Sequence, residues 1–327
     1  MELIKMVQKY NTKGKCIDYL EKKRWSDKPV CPYCSSTRSS KKTQEFRHTC
    51  NNCGRSYSVL VGTIFESTKL PITKWFGAIC LILSAKKGIS SLQLSRDLHV
   101  NKNTAWYLQK RIRNAMQDND YILKGIVEID ETYVGGSLSN KHYYTKLESG
   151  KYHGAGMEHM VPVLGMIERE GRIILKVIEK ASGKEMKPII KSRVAPESTI
   201  ITDGFGGYFG LKNHFESHII LNHSQNEKNI NKYNTSTLEG FWTLVKRAII
   251  GQYHKISKEH LQEYLNELAF KYNYKNTNMF NLLLNNLLQP KYAFSYEITL
   301  RRWDRGDVVA DTEGIRDIYM CRGYPSA

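Results

Sequence analysis

At 327 residues with 41% hydrophobic content, the chain is long enough for two or three folded domains with cores of their own. The 49 Lys and Arg against 32 Asp and Glu give a formal net charge of +17, a surface field that favours polyanions, nucleic acid first among them. No stretch approaches the roughly 18 apolar residues of a membrane span, and "MELIKMVQKYNTKGK" lacks the apolar segment of a secretory signal, so a cytoplasmic, nucleoid-associated protein away from membranes is expected.

The first predicted element is a short helix at 16–25, where Ile17, Leu20 and Trp25 pack. "CPYC" at 31–34 and "CNNC" at 50–53 follow. Two close Cys pairs let two knuckles bring Cys31, Cys34, Cys50 and Cys53 to one tetrahedral Zn²⁺, which supplies folding energy that so short a segment lacks. Four sulfurs complete such a site, so its zinc is structural and His48 is expected at the surface. Cys16, Cys80 and Cys321 stand unpaired and suit small buried apolar positions. "NHS" at 222–224 reads as a chance match to a glycosylation acceptor.

From Pro71, "PITKWFGAICLILSAKKG" forms a helix that ends at Gly88. "SSLQLSRDLHVNKNTAWYLQKRIRNAM", 90–116, carries Leu94, Leu98 and Val100 on one element and turn, then Ala105, Leu108 and Ile112 at helical spacing. This is a helix-turn-helix pattern. Its second helix, from about Lys102, is expected to turn Lys102, Asn103, Trp106, Lys110, Arg111 and Arg113 outward toward phosphates and base edges. A plain helical hairpin with a solvated face is the alternative.

From about 122 the pattern changes to strands: "YILKGIVEIDETYVGG", then "VPVLGMIE" and "RIILKVIE" as a hairpin through "REGR". A helix at "GKEMKPIIKSRV", strands at "STIITD" and "SHIILN", and helices at about 236–250 and 257–273 complete a β-β-β-α-β-α-β-α-α order, a mixed α/β sheet with flanking helices. The last segment, "KYAFSYEITLRRWDRGDVVADTEGIRDIYMCRGYPSA", has no clear period.

Asp130 ends the first of these strands, Asp203 ends "TIITDG", and Glu239 opens the helix "TSTLEGFWTLVKRAI". Acids at two strand ends and one helix start can converge at a sheet edge, and such a trio suits paired Mg²⁺ ions for phosphoryl transfer. Lys246 follows Glu239 by two helical turns on the same face, and with Arg247 it would meet phosphates. Glu239 lies beside the apolar stripe of Leu238, Phe241, Trp242, Val245 and Ile249. Glu128 shares the face of Asp130, Glu131 does not, and Gly135-Gly136 turns the chain away.

"VEIDETYVGG", "ITDGFGGY" and "NTSTLEGFWTLVKRAIIGQYHKIS", preceded by "CPYC…CNNC" and "VGTIFE", resemble the zinc-ribbon, DDE-type insertion-sequence transposases of the IS fifteen-ninety-five group, ISXO-like. The resemblance covers about residues 10–280 in the same order and spacing. It implies an RNase H-like catalytic core with Asp130 and Asp203 as the first two ligands of two Mg²⁺ (or Mn²⁺) ions. For the third ligand the family's pattern allows Glu or Asn, and here both Asn234 and Glu239 are available. Glu239 is favoured because its offset from Lys246 fits the acid-plus-lysine pattern of related transposases.

The implied activity is that of a polynucleotidyl transferase that binds terminal inverted repeats and cuts and joins DNA strands, as a homodimer or larger assembly on transposon ends and target. The expected division is 1–25, an N-terminal helical segment; 26–66, a zinc ribbon; 67–118, a helix-turn-helix region; 122–290, the catalytic domain; and 291–327, a tail without an assigned role. The rivals are a zinc-ribbon DNA-binding regulator with an inactive core and an RNase H-like host nuclease.

Overall fold

A five-stranded mixed sheet carries the second half of the molecule in the computed structural model, which describes residues 3–26, 28–118, 120–135, 160–221 and 235–289. Asn234, Gly136, the "NHS" tripeptide, Cys321 and the tail at 291–327 lie outside the described residues.

Strands β1 (Ser39–Lys42), β2 (Arg47–Cys50) and β3 (Ser56–Tyr57) form a small antiparallel sheet around the cysteines. The large sheet contains β4 (Ile126–Val134), β5 (Val161–Glu168), β6 (Ile173–Val177), β7 (Thr199–Asp203) and β8 (Ser217–Leu221), in the order β6-β5-β4-β7-β8. The first three pair antiparallel; β7 runs parallel to β4, and β8 parallel to β7. The expected mixed α/β sheet is therefore present.

The helices among the described residues are α1 (Leu3–Lys9), α2 (Lys13–Trp25), α3 (Ile72–Ser84), α4 (Ser91–Leu98), α5 (Lys102–Asn114), α6 (Gly183–Arg193), α7 (Ser236–Ala248), α8 (Lys258–Asn273) and α9 (Met279–Leu287). Strand β4 is central, so its side chains alternate between two covered faces. Val127 and Ile129 pack with Met186 and Ile190 of α6, whereas Val134 packs with Leu238, Phe241 and Trp242 of α7. Edge strand β6 is covered by α8: Gln262 pairs with Val177 N and Leu175 O, and Asn273 with Ile173 N and O, satisfying backbone groups an open edge would expose.

Three expectations change. No α-helix joins β7 to β8 among the described residues; two 3₁₀ turns, Gly206–Tyr208 and Leu211–Asn213, make the crossover, since "GFGGYFG" is too glycine-rich to sustain a helix. His48 is not at the surface: it is 2% exposed, with Nε2 2.9 Å from Glu21 and its ring stacked on Tyr57. Helix α9 does not extend the sheet domain, because Phe280, Leu283, Leu284 and Leu287 share one core with α1, α2 and α3. Described residues of the segment expected at 122–290 thus contribute to three cores, one on each face of the sheet and the helical one.

Candidate active site

The four cysteines meet as their spacing requires. Cys31 and Cys53 sulfurs are 3.7 Å apart and those of Cys34 and Cys50 3.5 Å, far beyond a disulfide and close to the roughly 3.8 Å edge of a tetrahedron with 2.3 Å zinc–sulfur bonds. Amide donors from Cys53 and Asn52 lower the Cys50 thiol, favouring the thiolate a metal needs, while the neighbouring sulfurs raise that of Cys53. Cys16 and Cys80 are buried in the helical core, where burial pushes both thiols up.

Helices α4 and α5 are capped at their starts by Ser90 and Asn101, and His99 in the left-handed region ends α4 and makes the turn between them. Lys102 and Asn103 are exposed as expected. The rest of the outward set is not. Arg113, 1% exposed, binds Glu267 of α8 at 2.6 Å, and Arg111 turns inward to the Ile64 carbonyl and over the Trp75 ring. Trp106 and Lys110 are half-buried, the indole edge-on to His260 and the ammonium 3.6 Å from Glu263. The helical period had put both arginines outward; α8 covers Arg113, while α3 and the segment before it cover Arg111 on another side of the helix.

The acidic site lies at the end of the sheet. Pairing of β4 with β7 runs Ile126 with Thr199, Val127 with Ile200 and Glu128 with Ile201. Two residues further, the same register sets Asp130 beside Asp203, on one face of adjacent parallel strands. Asp130 accepts from the Trp242 indole N–H at 3.0 Å. Burial raises the Asp130 carboxyl above its usual range and the charges of Asp203 and Glu239 add to the rise, against the Trp242 donor. Among the described residues only the four cysteines bring three or more ligand atoms within 4.8 Å of one another, so Asp130, Asp203 and Glu239 do not form so tight a cluster, although the charges of the other two reach Asp130.

Glu239 is exposed on α7 and accepts from the Thr235 hydroxyl at 2.9 Å. Lys246 and Arg247 are exposed further along this helix. Asp203 accepts from the Phe205 N–H at 3.0 Å, which fixes the turn leaving β7. Glu131, on the opposite face of β4, accepts from the Tyr208 hydroxyl, and burial first, then Asp203 and Asp130, raise its carboxyl. The donor set of Asp130, Asp203 and Glu239 is all hard oxygen with unbalanced negative charge, which fits a divalent cation such as Mg²⁺ or Mn²⁺.

Sequence reasoning missed how the site is held. Trp242 counted only as part of an apolar stripe, yet its N–H orients Asp130. Gly165 lies opposite Asp130 across β4 and β5, and a Cβ there would sit 2.4 Å from the Trp242 ring. A glycine inside a strand signals such a close approach, although not what approaches. Glu128 shares the face of Asp130 as its spacing requires, and its carboxylate is wholly buried against the start of α7.

Residues 122–273 match the ISXO2-like transposase domain and residues 11–56 the transposase zinc-ribbon domain. A protein of the transposable element ISH50 of Halobacterium salinarum is 24% identical over 269 residues, covering 79% of this chain and 90% of that protein. A transposase-like protein of Haemophilus influenzae is 29% identical over 102 residues, 31% of this chain and 81% of its own length. A chain in the crystal structure of a pre-cleavage Mos1 transpososome aligns at 12% identity over 66% of this chain and 76% of that one, with a TM-score of 0.26, too low to bear on the fold. With ribbon and sheet domain both matched in chain order, the protein belongs to the zinc-ribbon, ISXO2-like family of insertion-sequence transposases.

Proposed function

We propose that the protein is a DDE-type DNA transposase that binds the terminal inverted repeats of its element and catalyses Mg²⁺-dependent cleavage and strand transfer on an RNase H-like core. The observation that carries this reading is the shared register of Asp130 and Asp203 on adjacent parallel strands, with the Glu239 charge felt at Asp130. Three antiparallel strands followed by two parallel ones, in the order β6-β5-β4-β7-β8, agree with such a core.

Asp130, Asp203 and Glu239 would hold two Mg²⁺ or Mn²⁺ ions. Bound there, the ions would supply Lewis-acid activation and neutralise charge at the phosphate. The chain's own contribution is positional. Trp242 fixes the Asp130 carboxylate, Thr235 fixes that of Glu239, and exposed Lys246 and Arg247 would grip the DNA backbone alongside. Water first breaks the phosphodiester at the element end, leaving a 3′-hydroxyl; that hydroxyl then attacks a target phosphodiester, forming one P–O bond as another breaks. No covalent enzyme intermediate is required.

For the DNA-binding region at 67–118, the exposed start of α5 supports Lys102 and Asn103 as contacts, because a recognition helix reads base edges with its N-terminal residues. Arg111 and Arg113, being buried, are withdrawn from that set. The ribbon would hold its structural Zn²⁺ through Cys31, Cys34, Cys50 and Cys53. Acting on two ends calls for a homodimer or higher assembly on DNA.

The test is cleavage and joining of a labelled DNA carrying the element's terminal repeat, with and without Mg²⁺, for wild type and for Asp130→Ala, Asp203→Ala and Glu239→Ala. Loss of both reactions in all three variants, with DNA binding retained, is the expected outcome. Activity surviving in Glu239→Ala alone would move the third role to Asn234. A wild type that binds the repeat and never cuts would favour a regulator, and cutting directed by DNA structure rather than terminal sequence would favour a host nuclease.

A further inference from the structure

Helix α7, which bears Glu239, has no side-chain cap of its own: Thr235 at its N-cap gives its hydroxyl to Glu239 instead. The missing acceptor comes from strand β4. Glu128 is 0% exposed and accepts from Thr237 Oγ1 at 3.0 Å, Leu238 N–H at 3.1 Å and Arg169 Nη2 at 3.3 Å. Its negative charge thus meets orphan donors and the positive end of the helix dipole together, and Arg169 balances it.

The strand makes a second contact with the same helix. Two residues beyond Glu128, on the same face, Asp130 receives the indole N–H of Trp242, one helical turn beyond Leu238. The spacings match: two strand residues rise roughly 6.6 Å and four helix residues about 6 Å. Alternate carboxylates of β4 therefore fasten successive turns of α7, and Glu239 stands between the two fastenings.

We infer that Glu128 is a positioning residue of the active site: it fixes the helix carrying Glu239 against the strand carrying Asp130, and so sets the spacing of the metal-holding acids. This rests on the metal-site reading proposed above. The probe is Tb³⁺ alone, a luminescent stand-in for a hard divalent cation, sensitised by Trp242 and titrated into the full-length protein with its ribbon zinc in place.

Folded Glu128→Ala is expected to bind Tb³⁺ about tenfold or more weakly, the usual cost of removing a group that orients metal ligands. Glu128→Gln keeps the shape and one acceptor oxygen and is expected to return within about threefold of wild type. A folded Glu128→Ala that melts lower yet binds Tb³⁺ like wild type would overturn the role, leaving Glu128 a stability residue only. If Glu128→Ala does not fold, Thr237→Val decides: weaker Tb³⁺ binding supports the role and wild-type affinity overturns it. Absence of sensitised luminescence in wild type, or its persistence in Asp130→Asn, would instead overturn the metal-site reading and the positioning role with it.

Discussion

Gly165 is where one absent side chain decides how the site is built. It pairs with Asp130 across the strands, and the Trp242 ring occupies the space its Cβ would take. Gly165→Ala is expected to displace the indole, remove the N–H from Asp130 and cost about 1–3 kcal/mol, the range for overpacking a core. Urea denaturation and the NMR signal of the Trp242 indole check this; unchanged stability with an unshifted indole would sink it. Trp242 itself was legible as apolar from its spacing with Leu238 and Val245, but its donor role depends on a strand more than a hundred residues away.

At the scale of elements, α5 and α8 lock through buried charges. Glu267, 1% exposed, binds Arg113 at 2.6 Å and Lys271 at 2.5 Å, and Lys271 also donates to the Ala85 carbonyl at 2.8 Å. Burial alone would raise the Glu267 carboxyl, yet Arg113 and Lys271 outweigh it and hold it below its ordinary value. A depressed carboxyl stabilises the fold above its unfolded pKa of about 4.3, and that contribution is lost as pH falls further through the folded value. Glu267→Gln leaves Arg113 buried without its counter-charge, so a loss of about 3–5 kcal/mol at neutral pH is expected. The gap to wild type should narrow below pH 4; denaturant midpoints against pH test both parts, and a gap that widens in acid would refute them.

For the whole molecule, the chain returns on itself. Helix α9 comes back to the N-terminal helices, with Ile64 N–H bonded to the Leu287 carbonyl at 3.3 Å and the Tyr19 hydroxyl to Asn281. Tyr253, beyond α7, reaches Gly88 and Arg113, tying the helix pair to the sheet domain. The ribbon, by contrast, has a small core of its own, Cys31, Cys50 and Tyr57 with Trp25 against them. Zinc removal is therefore expected to unfold the ribbon selectively: Trp25 loses its edge contacts with His48 and Tyr57, and the sheet domain keeps its melting transition. Colorimetric zinc release with a chelator, followed by Trp fluorescence and circular dichroism, checks it; a metal-free protein with an intact ribbon signal would refute it.

The sequence alone determined what depends on local chemistry. Cysteine spacing announced the metal knuckles, alternation marked the strands, apolar spacing marked the helix pair at 90–116, and acids at strand ends marked the candidate site. Only the tertiary structure decided what depends on which element packs where. It turned Arg111 and Arg113 inward, because a helical period gives the faces of a helix but not the neighbour that will cover them. It made Glu128 a cap for a helix 110 positions away, and it sent α9 to the core of the N-terminal helices rather than to the sheet. The physical reason is the same in each case: a charged side chain reads as solvated from its own segment, and becomes a buried partner only when distant chain supplies donors or counter-charge.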